Sequence, residues 1–154
     1  MLETRFDVAW VEGASRSTDA AKVKALSNGI RGAVAIGQGF TRLEEFRPHL
    51  EAHSADVIQL DIQAVGITGA LELADAAYGY ELPVSLCSAP GNLHVHLSGA
   101  MPYFMSAEIA DPVTQSDACS SDVRIEKGWA MAGDKPGNGL TFKRVAPARA
   151  RSSR

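Results

Sequence analysis

The sequence predicts an α/β domain in which parallel strands alternate with crossover helices. Four short apolar runs each end in a polar residue, Glu12, Gln38, Asp61 and Cys87, and successive members lie 26, 23 and 26 residues apart. A strand, a loop and a returning helix occupy about 25 to 30 residues, so this interval is the length of one βα unit. The runs themselves are nearly all apolar, as expected of parallel strands covered on both faces.

The elements follow in order. Phe6 to Glu12 has the β-branched and aromatic content of a strand, broken by Gly13. Thr18-Asp19 starts a helical stretch in which Ala20 to Leu26 carries apolar residues at Val23 and Leu26, and Asn28-Gly29 stops it. Ala33-Val34-Ala35-Ile36 is the second strand, ended by Gly37-Gln38-Gly39. Leu43, Phe46 and Leu50 make one stripe of a second helix. Val57 to Asp61 is the third strand and Thr68 to Tyr78 the third helix. Pro83 to Cys87 is the fourth strand, followed by a helix from Leu93 to Ala100 that Pro102 stops. Beyond a short run from Phe104 to Ile109, the stretch Val123 to Ala132 holds Lys127-Gly128, a hairpin turn. Right-handed crossovers are expected throughout.

At 154 residues the chain fits one domain, short of the roughly 250 that an eightfold βα barrel needs, though half a barrel fits. Hydrophobic residues at 45% and charged residues at 21% are ordinary globular values and exclude a disordered or fibrous class. No apolar run approaches the roughly 20 residues of a membrane span, and the N-terminus, with Glu3, Arg5 and Asp7, lacks a signal-peptide core; cytoplasmic location is the expectation. Net charge is −3, from 15 basic and 18 acidic side chains. Five of the basic residues lie in 143–154, which holds no acid, so residues 1–142 carry 10 − 18 = −8. An acidic body argues against nucleic-acid binding, and 143–154 reads as a basic flexible tail behind a single domain of 1–142. Cys87 and Cys119 form no metal-type spacing and no disulfide framework is expected.

Several dispersed motifs, in order, carry a family resemblance: Trp10-Val11-Glu12, Ala35-Ile36-Gly37-Gln38, Gln59-Leu60-Asp61-Ile62, Val65-Gly66-Ile67-Thr68, Pro83-Val84-Ser85, His96-Leu97, Ala100-Met101-Pro102, Glu108, and Asp134-Lys135-Pro136-Gly137-Asn138-Gly139. Together they resemble the C-terminal barrel portion of the enolase superfamily, in its mandelate racemase and muconate lactonizing enzyme-like, acid-sugar dehydratase branch. The resemblance implies a partial TIM (β/α)8 barrel, roughly its last four βα units, plus a short C-terminal β hairpin. It also implies that the family's capping domain, lysine base and first magnesium carboxylate lie outside these 154 residues.

What the resemblance implies chemically is abstraction of a proton next to a substrate carboxylate, with Mg2+ stabilising the enolate. Glu12 matches the second metal ligand. Gln38 falls where the third carboxylate ligand belongs; it is neutral, and with the first ligand absent one charged carboxylate remains, so weak metal binding or none is expected. Asp61 matches the aspartate that pairs with a histidine in an acid-base dyad, and Cys87 stands where that histidine belongs. Glu108 matches a glutamate that hydrogen-bonds the substrate carboxylate. Without the resemblance, Glu12 and Asp61 read as strand-end acids capping the next loop or helix, Cys87 as a small buried residue, and Glu108 as a surface acid.

His94 and His96 are two apart and diverge by about 200° on a helix, so they are not expected to share a metal. His49 and His53 have i, i+4 spacing, but they follow Pro48 without a metalloprotease glutamate and read as solvated surface residues. The expected function is a Mg-dependent racemase or dehydratase of small carboxylate substrates, truncated and impaired. The alternative is an inactive barrel fragment acting as a binding or assembly subunit. Open sheet edges lead to the expectation of a homo-oligomer, or of a partner chain supplying the other half barrel. No membrane or nucleic-acid partner is expected.

Overall fold

The computed structural model describes residues 5–13, 19–88, 91–109 and 119–143. Its centre is a five-stranded, all-parallel sheet of β1 (Trp10–Glu12), β2 (Ala33–Ile36), β3 (Val57–Asp61), β4 (Val84–Cys87) and β5 (Phe104–Ala107), in that spatial order. The helices α1 (Ala20–Ser27), α2 (Leu43–Glu51), α3 (Ile62–Gly79) and α4 (Gly91–Ser98) connect them. Sequential order in an all-parallel sheet is the signature of a barrel section rather than of a doubly wound sheet, whose order reverses. There is one strand more than the four apolar runs predict. Phe104–Ala107 is short and only half-buried, so its apolar signal is weak, yet it pairs with β4.

The core lies on one face of this sheet. Ile58, Leu60, Val84 and Leu86, alternate residues of β3 and β4, pack with Phe46 and Leu50 of α2 and with Ala70, Leu73, Ala74 and Ala77 of α3. Each fully buried large apolar side chain contributes about 1.5–3 kcal/mol. The α3 surface is alanine-rich, which lets the helix backbone approach the sheet closely. A smaller cluster of Val23, Val34 and Ala55 sits under α1. There Asp56 ties three elements together: its carboxylate accepts from Val34 N (2.8 Å) and Ser27 Oγ (3.2 Å), and its own N–H donates to Val34 O (2.8 Å).

Local signals account for the ends. Asp19 caps α1 by accepting from Ala21 N at 3.0 Å. At α2, Glu45 Oε2 reaches back to the N–H groups of Thr41 and Arg42 (2.7 and 3.1 Å), the reverse arm of a capping box. The third helix starts earlier than Thr68. Asp61 caps a first turn from Ile62, and Gly66, at φ 69° and ψ 176°, kinks the chain before the helix resumes. The fourth helix is shifted two residues toward the N-terminus of its predicted span and ends at Ser98.

After the sheet come two antiparallel pairs: β6 (Cys119–Ser120) with β9 (Thr141–Phe142), which nothing in the sequence announces, and the predicted hairpin of β7 (Arg124–Glu126) and β8 (Trp129–Met131). Lys127 and Gly128 both have positive φ (51° and 82°), as a two-residue type I′ turn requires. Asp122 organises the loop between β8 and β9. Its carboxylate accepts from Lys135 N (2.9 Å) and fills the space that side chains at Gly133 and Gly139 would need. Of the proposed basic tail only Lys143 is described; residues 144–154 lie outside the described residues.

Gly37 is the tightest backbone requirement. Its φ is +123°, and a Cβ there would collide with the Gln59 carbonyl oxygen and come within 2.7 Å of the Phe46 ring. Gly37→Ala is therefore expected to destabilise the fold by about 2 kcal/mol or more, read as a lowered urea midpoint with an unchanged m-value. A change of a few tenths would mean that the β2 terminus is not held as described.

Candidate active site at the carboxyl ends of the strands

Because all five strands run the same way, their carboxyl ends form one edge. Glu12 is the last residue of β1, in register with Ala35 of β2. Gln38 follows β2 in a turn closed by Phe40 N to Gly37 O (2.9 Å). Asp61 and Cys87 are the last residues of β3 and β4 and are direct register partners. Glu108 follows β5, and its N–H donates to Leu86 O (2.8 Å), beside Cys87. The five sequence-selected residues thus lie along one rim.

Their settings differ. Glu12, Gln38 and Glu108 are exposed, Asp61 is half-buried and Cys87 is fully buried. Burial pushes the Cys87 thiol up to about 11; a hydrogen bond with Ser88 works against this, and the charges of Asp61, Glu108 and Glu12 push further upward. The thiol therefore stays protonated at neutral pH and feels three carboxylates from three other strands. Asp61 also keeps a structural duty, accepting from Gln63 N at 2.9 Å as the cap of α3. Ser88, just past Cys87, holds a left-handed conformation at φ 61°, a strained turn of the kind found beside sites.

Beneath the rim is a polar layer that the apolar strand signal conceals. Gln59 and Ser85 are each 1% exposed, they are register partners, and Ser106 Oγ donates to Ser85 Oγ at 3.3 Å. They stand two residues before Asp61, Cys87 and Glu108, and alternation puts them on the same face of the sheet as those three. Counting back by two from each rim residue would have found them.

Magnesium is a hard cation that wants several oxygen donors, and those at its expected place are one carboxylate, Glu12, and one amide, Gln38. Among the described residues no three His, Cys, Asp or Glu side chains come together as a metal-ligand group. The residues present do not fit a magnesium site.

The histidines sort differently from expectation in one case. His94 is buried and His96 exposed on opposite sides of α4, so they share no ligand role. His53 is exposed. His49 is not a surface residue: it is 1% exposed, its Nδ1 lies 2.8 Å from Ser54 Oγ, and its ring sits 5.5 Å from that of Phe40. It shares the inward face of α2 with Phe46 and Leu50, and a local hydroxyl makes its burial tolerable.

The pattern of the Enolase C-terminal domain-like family matches residues 1–146. The chain belongs to that family. A D-galactonate dehydratase family member of Oceanicola granulosus is 27% identical over 93% of this chain and 37% of that protein. The solved mandelate racemase/muconate lactonizing enzyme of Sulfitobacter sp. superposes with a TM-score of 0.77 at 23% identity, over 87% of this chain and 35% of that one. L-Talarate dehydratase of Polaromonas sp. JS666, solved with Mg and L-glucarate, gives a TM-score of 0.74 at 26% identity, over 88% and 37%. This family member therefore spans little more than a third of the length of these relatives, and its sheet is a section of their barrel. No described helix is long and apolar enough to cross a membrane.

The thiol setting predicts a pH signature. An ordinary cysteine ionises near pH 9 and the folded Cys87 near 11, so the unfolded state loses its proton first and stability falls as pH rises from about 9 to 11. Cys87→Ala is expected to flatten the thermal-stability profile across that window. At pH 8, alkylation of Cys87 by iodoacetamide, followed by peptide mass spectrometry, is expected to run on the order of a hundredfold slower than for a free thiol.

Proposed function

We propose that this chain carries part of an enolase-superfamily site for small carboxylate substrates, of the acid-sugar or 2-hydroxy acid kind, and that its acid-base and metal-binding functions are impaired. The observation that supports this is that Glu12, Asp61, Cys87 and Glu108 all stand at the carboxyl ends of strands in one parallel sheet, with Asp61 and Cys87 in direct register. Position by position this follows the arrangement that the family resemblance implies, and each departure from it weakens it. In the family, magnesium would neutralise the substrate carboxylate. Here Gln38 replaces a charged ligand, and the rim offers an anionic substrate carboxylates, a neutral amide and a neutral thiol.

In this scheme Asp61 orients whatever stands at position 87 through their shared register. An imidazole there would accept a proton near neutral pH; the Cys87 thiol has a proton to donate but is poorly suited to take one. Glu108, when protonated, would donate a hydrogen bond to the substrate carboxylate. These groups act as a unit, so losing two costs most of the activity rather than a share of it.

Racemase and dehydratase chemistry share α-proton exchange. In D2O with galactonate, talarate or glucarate, the expected outcome for the 154-residue chain is no exchange above background by proton NMR. Exchange that Asp61→Asn abolishes would overturn the impairment and leave an active enzyme. Calorimetry is expected to give little heat with millimolar magnesium for the unaltered chain. Gln38→Glu, with a second carboxylate beside Glu12, is expected to bind magnesium measurably tighter and to raise Tm with magnesium concentration.

A second role, as an assembly subunit, is favoured by the edges. Among the described residues β1 and β5 each pair on one side only. Pairing with another copy, or with a chain supplying complementary strands, would cover them. Light scattering at working concentration is expected to give a mass above 16.3 kDa; a monodisperse monomer would remove the assembly role.

A further inference from the structure

We propose that Asn138, in the loop between β8 and β9, is a site of spontaneous covalent modification: the Asn138-Gly139 pair closes to a cyclic imide that opens to aspartate or isoaspartate, and isoaspartate there loosens the loop's tie to α4. The chain has two Asn-Gly pairs, Asn28-Gly29 and Asn138-Gly139. Glycine has no Cβ to hinder attack by its own amide nitrogen on the preceding asparagine side chain. The structure separates the two pairs. Asn28 stands in helical conformation (φ −66°, ψ −19°) at the C-cap of α1, and the Gly29 N–H donates to Leu26 O at 2.9 Å. Asn138 is exposed in a turn, and among the described residues no hydrogen bond holds the Gly139 N–H.

Two hydrogen bonds prepare the reacting groups. Leu140 N donates to Asn138 Oδ1 (3.1 Å), an Asx turn that folds the side-chain amide back over its own peptide and polarises the carbonyl to be attacked. Asn92 Nδ2 donates to Asn138 O (2.9 Å), which draws charge from the peptide group and makes the Gly139 N–H easier to ionise. The Gly139 nitrogen gives up its proton and bonds to Asn138 Cγ; the Cγ–Nδ2 bond breaks, and ammonia leaves with a proton taken back from solvent. Water then adds to one imide carbonyl. Opening at Cγ gives aspartate, opening at the α-carbonyl gives isoaspartate, and nothing is oxidised or reduced. Either product creates a carboxylate next to Gly139, against which the Asp122 carboxylate already packs. Isoaspartate also adds a methylene to the main chain where the Asn92 bond holds the loop to α4.

The test is incubation of the full chain in mildly alkaline heavy-oxygen water, followed by peptide mass spectrometry and enzymatic methyl labelling of isoaspartate. Heavy-oxygen uptake at Asn138 is expected to run about tenfold faster than at Asn28, the factor that one hydrogen bond to be broken at Gly29 N represents. In urea, where neither pair is held by the fold, the two rates are expected to converge. Asn138→Ser, a change at an exposed turn residue, is expected to remove the label from this loop and leave that at Asn28 as it was. In the isoaspartate fraction, amide hydrogen exchange at Lys135 and Leu140 is expected to be faster than in the unmodified chain. A folded-state rate at Asn138 no greater than at Asn28, the same excess in urea, or unchanged exchange in the isoaspartate fraction would overturn the proposal.

Discussion

The parallel hydrogen-bond register of β3 and β4 is the constraint on which the rest depends. Pairing Gln59 with Ser85 and Asp61 with Cys87 aligns two strands so that both their carboxyl-terminal residues and the polar residues beneath them share a face. A slip of one residue would turn Leu60 and Leu86 away from α3 and send Asp61 and Cys87 into the helical layer. The packing of Leu60 and Leu86, neither of which is exposed at all, therefore holds the rim in place. Core and site are opposite faces of one alternation.

That alternation also explains the electrostatics. Residues that end parallel strands converge, and in this chain three of them are acids and one is a buried thiol. Burial first, and the charges of Asp61, Glu108 and Glu12 after it, raise the cost of a thiolate at Cys87. Architecture here rests on apolar packing, while the character of the rim is set by a few polar positions.

The C-terminal segment follows a different logic. Its strands are two or three residues long, and its geometry rests on specific contacts: Asp122 occupying the space of two glycines, Asn92 of α4 donating to Asn138 O at 2.9 Å, and the positive-φ pair at Lys127-Gly128. The Asn92 contact ties the loop after β8 to α4, against which β8 also packs. Of these, the turn was legible from two adjacent residues; the Asp122 and Asn92 contacts were not, because their partners are distant in the chain.

The sequence by itself determined the βα repeat, the direction of the strands and the rim positions, because apolar runs, breakers and polar strand ends recur at a fixed local interval. It also made the neutral chemistry of Gln38 and Cys87 readable, since a residue's chemistry is known wherever it sits. Only the tertiary structure decided that Phe104–Ala107 is a fifth strand, that His49 is buried, that Gln59 and Ser85 form a polar layer, and that Cys87 lies in register with Asp61. Each of these depends on what a residue meets across the sheet or between layers. Partners of that kind are set by packing over long sequence separations, which no local pattern encodes.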